Sequence, residues 1–116
     1  MDMQQKSLGL VVGGTPSSAE MRVALRIADA AIDNGVTVRL FLIGDGLGIA
    51  LNTKSNKGPF KTFRSILSRG ADVTLCSVML RDRGCPSEFI LPEVVLGSLI
   101  YFAEMVKTCD RIICLR

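Results

Sequence analysis

Histidine and tryptophan are absent from the 116 residues, and there is a single tyrosine. Without histidine, Ser-His-Asp and Cys-His mechanisms, imidazole general bases and His-containing zinc sites are excluded. Without tryptophan and with one tyrosine, an aromatic platform for stacking nucleic-acid bases is not expected. No pair of cysteines has the CxxC spacing, so a structural zinc site lacks its usual ligand pairs. No long apolar run exists either. The greasiest stretch, Phe89 to Val106, is broken by Pro92, Glu93, Gly97 and Glu104, which makes it a poor membrane span. The opening Met1-Asp2-Met3-Gln4-Gln5-Lys6 is polar, and the apolar run behind it is too short for secretion. A cytoplasmic protein is therefore expected, with its four cysteines as reduced thiols. Charge of one sign is also scarce: 14 Lys and Arg against 11 Asp and Glu leave +3, too little to support nucleic-acid binding.

What is present points to one globular α/β domain spanning residues 1–116. Hydrophobic residues make up 48% of the chain and charged residues 22%, so disorder is excluded. Mean hydropathy is +0.38, high for a domain with so little interior, and the surplus points to subunit interfaces. Ser7 to Val12 reads as a strand ended by Gly13-Gly14. Ser17 and Glu20 fit a capping box opening a helix to about Asn34. Ala24, Ile27, Ala28 and Ala31 lie on one face of that helix, and Arg22, Arg26, Asp29 and Asp33 on the other. Val36 to Ile43 reads as a buried parallel strand, completing a βαβ unit. Leu47 to Leu51 has room for one or two helical turns. Asn52 to Gly58 is a polar, basic loop, and Pro59 suits the first turn of a helix buried through Phe60, Phe63, Leu67 and Ile66.

Asp72 to Cys76 is a third strand, with Ser77 expected to cap a short helix through Arg83. Phe89 to Leu91 is either a short strand or an extended link. A last helix is expected from Leu96 or Gly97 to Lys107, followed by a closing strand from Arg111 to Leu115. The expected architecture is a mostly parallel sheet of four or five strands covered by helices.

Cys76 is the residue with most chemical promise. It sits at the expected C-terminal end of a parallel strand, where ligand sites of open α/β sheets lie. A helix start just beyond it, with Arg81 and Arg83, would favour the thiolate; the plain alternative is a small buried residue at a strand end. Cys85 follows Gly84 in a loop and is a candidate second thiol. Cys109 and Cys114 read as buried apolar fillers. Gly13-Gly14 and Gly44-Asp45-Gly46-Leu47-Gly48 lack both the P-loop lysine and the dinucleotide spacing; they read as tight turns needing positive φ, with nucleotide binding a third reading. Lys54, Lys57, Lys61 and Arg64 form either a solvated face or a dock for an acidic protein or RNA phosphates. Asp45 and Glu93 share that rim without forming a close carboxylate pair.

The segment Leu75-Cys76-Ser77-Val78-Met79-Leu80-Arg81-Asp82-Arg83-Gly84 resembles the active-site segment of DsrE/DsrF-like proteins, the group of the DsrE, TusD and YchN branches. That segment has a cysteine at a strand end, then an Arg-Gly pair seven and eight residues later, here Arg83 and Gly84. Val38 to Gly46 resembles the family's second strand and turn. Leu96-Gly97-Ser98-Leu99, followed by Cys109-Asp110-Arg111-Ile112-Ile113, resembles its closing stretch. The resemblance runs from about Leu8 to Leu115. It implies a three-layer α/β/α fold with a mostly parallel five-stranded sheet, assembled as trimers or hexamers. It also implies a persulfide carrier in a sulfur relay, with sulfur donor and acceptor proteins as partners and Cys76 as the carrying thiol. Ser77, Arg81, Arg83 and Gly84 are expected to support that thiol, Arg83 and Gly84 through the resemblance, and such a carrier would need no metal or organic cofactor. Some YchN-like members have a second cysteine three residues after the first. Met79 stands there in this chain, and Cys85 inherits no role. The alternative is a non-enzymatic oligomeric module on the same fold, binding a small ligand or partner with a silent Cys76.

Overall fold

The computed structural model describes residues 6–55 and 57–116. The polar opening from Met1 to Gln5 and Asn56 of the basic loop lie outside the described residues. β1 (Ser7–Val12), β2 (Thr37–Leu42), β3 (Asp72–Cys76), β4 (Val95–Gly97) and β5 (Arg111–Leu115) form one sheet in the order β4-β3-β2-β1-β5, all neighbours parallel. The sheet thus has five strands and is wholly parallel. β4 was not expected as a strand. Its three residues pair Thr74 with Val95, Leu75 with Leu96 and Cys76 with Gly97. That pairing moves the start of the last helix, α4, to Leu99–Thr108, with Ser98 as its cap.

Helices cover both faces of the sheet. α1 (Ala19–Asp33) and α2 (Pro59–Ser68) pack on the face formed by Leu10, Val12, Leu40, Leu42, Val73 and Leu75. α1 buries Met21, Ala24, Leu25 and Ala28, while Ile27 and Ala31 are half-buried. α2 buries Phe63 and Ile66, with Phe60 and Leu67 at the margin. α4 covers the other face through Met105 and Phe102, against Val11, Phe41, Cys76 and Ile112. This is the three-layer α/β/α arrangement. Successive strand residues point to opposite faces, so Arg39, Phe41, Thr74 and Cys76 all belong to the face under α4.

Two glycine positions show what the turns require. At Gly9 a Cβ would lie 2.5 Å from Ile112 Cδ1 and 3.0 Å from Met105 Cε, so the ends of these β5 and α4 side chains occupy the space a larger residue would need. At Gly44 φ is +51°, a conformation L side chains rarely adopt. Gly13, Gly14, Gly46 and Gly48 do not have positive φ, contrary to expectation. They are small because neighbours crowd them: a Cβ on Gly46, for example, would run into the Val12 carbonyl.

Local corrections follow the same logic. The cap of α1 is Ser18, not Ser17. Its Oγ accepts from the Met21 N–H at 3.1 Å and donates to the Thr15 carbonyl at 2.7 Å. That shift breaks the expected capping box with Glu20. The turn after β2 is a 3-10 segment from Gly44 to Ala50. Phe89 ends a 3-10 turn (Ser87–Phe89), and the extended link begins only at Ile90, which forms one antiparallel bridge with Leu51.

Candidate functional site

Cys76 is the last residue of β3 and the cap position of the six-residue helix α3 (Ser77–Asp82). Ser77 is therefore the first helical residue, and no side chain caps the helix. One and a half turns carry only a small helix dipole, so the charge at this end is modest. Gly84, with φ +67°, ends the segment.

The Cys76 side chain faces α4 and is 2% exposed. It belongs to a small apolar cluster with Val11, Phe41 and Met105, closed by Ile43, Met79, Phe102 and Cys109. Phe102 lies against Phe41 with ring centroids 5.1 Å apart. In the single chain the thiol is therefore roofed, and not at the surface a carrier would be expected to offer. Met79 has a second role: its Sδ accepts the Gly44 N–H at 3.2 Å, tying α3 to the turn after β2. Arg83 reaches the same turn and pairs with Asp45 at 3.0 Å, both side chains about half exposed. This pairing offsets part of the positive potential expected near Cys76. Arg81 is exposed on the rim.

Ser77, Arg81, Gly84 and Cys85 come together with Leu80 and Leu96 in one groove of about 440 Å³. Cys85 is half-buried there, its Sγ 3.6 Å from the Pro86 carbonyl oxygen. A smaller recess of about 180 Å³ runs from Cys85 to Arg83 and Asp45. Cys76 lines neither recess, and Leu80 and Cys85 pack with the core on the opposite face of the sheet from the thiol. Cys109 is half-buried and Cys114 exposed, so neither is the buried filler expected. Cys114 is open because β5 is an edge strand.

The basic residues lie elsewhere. Lys54 and Lys57 are in the loop before α2, and Lys61 and Arg64 are on α2, whose buried residues face the side of the sheet opposite Cys76. Lys54, Lys57 and Lys61 are exposed. Arg64 is half-buried and donates to the Thr53 carbonyl, so it pins the loop. Glu93 lines a shallow recess with Arg64, apart from Asp45.

The sequence reading overlooked the group that fastens α4 over Cys76. Arg39 Nη1 donates to Thr108 Oγ1 at 2.9 Å, and its Nη2 lies 3.5 Å from Glu104. Arg39 Nε is 3.4 Å from Asp72 without forming a hydrogen bond. The guanidinium stacks on Tyr101 at 5.2 Å, and the Tyr101 hydroxyl donates to Asp72 at 3.1 Å. Burial works to lower the Arg39 pKa, but Tyr101, Asp72 and Cys109 together hold it above its ordinary value. The signal was available: Arg39 is the one charge inside the otherwise apolar Val36–Ile43 stretch. Below the roof, Thr74 is fully buried and its hydroxyl has no hydrogen-bond partner among the described residues.

Among the described residues, no group of His, Cys, Asp or Glu is arranged to hold a metal ion. None of their helices is long and apolar enough to cross a membrane.

Comparison with known proteins places this geometry. The chain is similar to the YchN protein from E. coli, with a TM-score of 0.74 and 23% identity over 96% of this chain and 99% of that one. It is similar to the protein of unknown function MTH1491 from Methanobacterium thermoautotrophicum, with a TM-score of 0.75 and 11% identity over 96% and 99%. The uncharacterized protein MK0008 of Methanopyrus kandleri is 27% identical over 111 residues, 90% of this chain and 89% of that protein. The model of the DsrE/DsrF-like family matches residues 6–115. The chain belongs to the DsrE/DsrF-like family.

Proposed function

We propose that the protein is a sulfur-relay carrier in which Cys76 accepts sulfane sulfur as a persulfide and passes it to an acceptor thiol. The observation that carries this reading is the place of Cys76. It closes β3 at the C-terminal edge of a parallel sheet, directly before α3, with Arg83 and Gly84 at the far end of that helix. The Cys76 thiolate attacks the outer sulfur of a donor persulfide, R–S–SH. A new S–S bond forms on Cys76, the donor S–S bond breaks, and the donor leaves as R–S⁻. An acceptor thiolate then attacks the outer sulfur of Cys76–S–SH, and Cys76 returns as thiolate. No net oxidant or cofactor is consumed. Ser77 and Arg83, the latter held by Asp45, follow the thiol in the chain, and Cys85, in a separate groove, takes no step in this transfer. Between transfers, the roof of Phe102, Met105 and Met79 would shield the persulfide from water-borne thiols.

The same reading makes the protein a cytoplasmic homo-oligomer, a trimer or hexamer. Leu99, Ile100 and Val106 on α4 and Val95 and Leu96 on edge strand β4 are exposed, Ile100 at 81%. Such a patch on one flank marks an association surface, and β4 also offers an unpaired strand edge. A neighbouring subunit there would sit beside Cys76, since Gly97 pairs with it.

The burial of Cys76 at 2% favours a second reading, an oligomeric binding module whose Cys76 is silent packing. Sulfur transfer separates the two. Wild type, Cys76→Ser and Cys85→Ser are loaded with a persulfide donor and mixed with an acceptor thiol. The carrier reading expects transfer to vanish in Cys76→Ser and to persist in Cys85→Ser. Undiminished transfer by Cys76→Ser would leave the binding module as the account.

A further inference from the structure

We propose that the groove between the N-terminal turns of α1 and α2 docks an acidic, extended segment of a partner protein, with Arg22 and Arg26 as its anchors. The groove holds about 420 Å³. Its apolar floor includes Pro16, Leu25 and Pro59, with Thr62 at the side and Arg22 and Arg26 on the α1 wall. No acidic residue lines it, and Glu20, in the first turn of α1, is not among its lining residues.

The charge pattern of α1 shows that these arginines are left over. Arg22, Arg26, Asp29 and Asp33 share the outer side of the helix. Both aspartates are taken by Arg69 at the end of α2. The side chains of Arg22 and Arg26 have no ion pair or hydrogen bond among the described residues. The position of Arg22 is also locally unfavourable. A cation close to a helix N-terminus opposes the helix dipole, and Arg22 stands only four residues past the Ser18 cap. α2 adds to the effect: its cap is Gly58, which has no side chain to offer, and its first turn contains Lys61 and no acid. Two helix starts and two unpaired guanidinium groups thus concentrate positive potential on one groove. Natural proteins break such local rules at functional sites, which directs attention to this groove.

The dimensions select the partner. Arg22 and Arg26 are one turn apart, about 6 Å along the axis. Same-face side chains of an extended strand repeat every 6.5–7 Å or so. Two carboxylates at alternate positions match the arginine spacing, and an apolar residue of the same segment can rest on Leu25 and the two prolines. Lys57 and Lys61, exposed beside the groove, steer such a segment in. The inference deepens the sulfur-carrier reading and rests on it only in taking the partner to be a sulfur donor or acceptor.

The test uses a labelled synthetic peptide of alternating Glu and Leu, its Gln-Leu counterpart, and a single-stranded RNA of equal charge. Binding is followed by fluorescence anisotropy at several salt concentrations on the Cys76→Ser protein. Docking is thereby read without sulfur chemistry, and a failed carrier and a failed dock give different results. The Glu-Leu peptide should bind, weaken with salt, and lose roughly tenfold in affinity when Arg22→Gln and Arg26→Gln are combined. Lys107→Gln, on α4, should change nothing. Removing unpaired cations near a helix start should leave the melting temperature unchanged or raised, so loss of binding would not reflect unfolding. Equal binding of the Gln-Leu peptide, undiminished binding by the double variant, or tighter RNA binding through the same arginines would overturn the proposal. So would displacement of the peptide by millimolar inorganic phosphate.

Discussion

Truncating Met105 should open the way to Cys76 without unfolding the protein. Met105 is the one fully buried residue of α4, and it lies in the cluster that encloses the thiol. The rest of the helix is held by half-buried Phe102 on Phe41 and by the partly exposed polar contacts of Arg39. Exposed or half-exposed ion pairs contribute at most about 1 kcal/mol each. A buried Met→Ala change costs about 2–5 kcal/mol, so Met105 dominates the seating of α4. If α4 lifts as a local unit, that cost comes off the opening free energy. Each 1.4 kcal/mol is tenfold, so Cys76 alkylation should accelerate roughly thirtyfold or more in Met105→Ala. Iodoacetamide labelling with peptide mapping reads this directly, and exposed Cys114 is the reference thiol in the same molecule. Wild type should label Cys114 quickly and Cys76 slowest of the four. Ile66→Ala, a comparable truncation in the core under α2, controls for global destabilisation and should leave Cys76 protected. Wild-type Cys76 reacting as fast as Cys114 would refute the roof. Equal acceleration by both variants would refute local opening.

Three further outcomes follow from packing. Ser18→Ala should cost about 1 kcal/mol by thermal or denaturant melting, and Ser17→Ala close to nothing, because only the Ser18 hydroxyl caps α1; the reverse order would restore the Ser17 capping box. Gly9→Ala should destabilise by about 1–3 kcal/mol, since its Cβ overlaps Ile112 and approaches Met105; an unchanged melting curve would mean α4 sits farther from β1. Thr74→Val keeps the shape and removes a buried hydroxyl with no partner, so stability should hold or rise by about 1 kcal/mol; a clear loss would reveal a hydrogen bond made by that hydroxyl.

Much of the sheet was legible because its strands are short apolar runs bounded by glycine or a charge. Ser7–Val12, Asp72–Cys76 and Arg111–Leu115 match the structure to the residue. Val95–Gly97 did not announce itself. Three residues at a sheet edge carry no periodicity, and the apolar run into Leu99 and Ile100 reads as helix. Adjacent serines hid the cap of α1, since either spacing looks plausible until the Ser18 hydroxyl meets the Met21 N–H. For the site, the strand-end place of Cys76 was readable, but its burial was not. Alternation along β3 places Thr74 and Cys76 on one face; only the long-range docking of α4 through Arg39 and Met105 determines that this face is roofed. The leftover charge of Arg22 and Arg26 was equally invisible, because the partner of Asp29 and Asp33 is Arg69, far along the chain.

The central claim is that sulfur is carried on Cys76. The most direct measurement is the intact mass of the reduced protein after exposure to a persulfide donor, with peptide mapping and Cys76→Ser alongside. The account predicts one added sulfur, located on Cys76, absent from the variant and removed by an acceptor thiol. A protein that gains no sulfur, or gains it on Cys85 or Cys114 with Cys76 untouched, would contradict it.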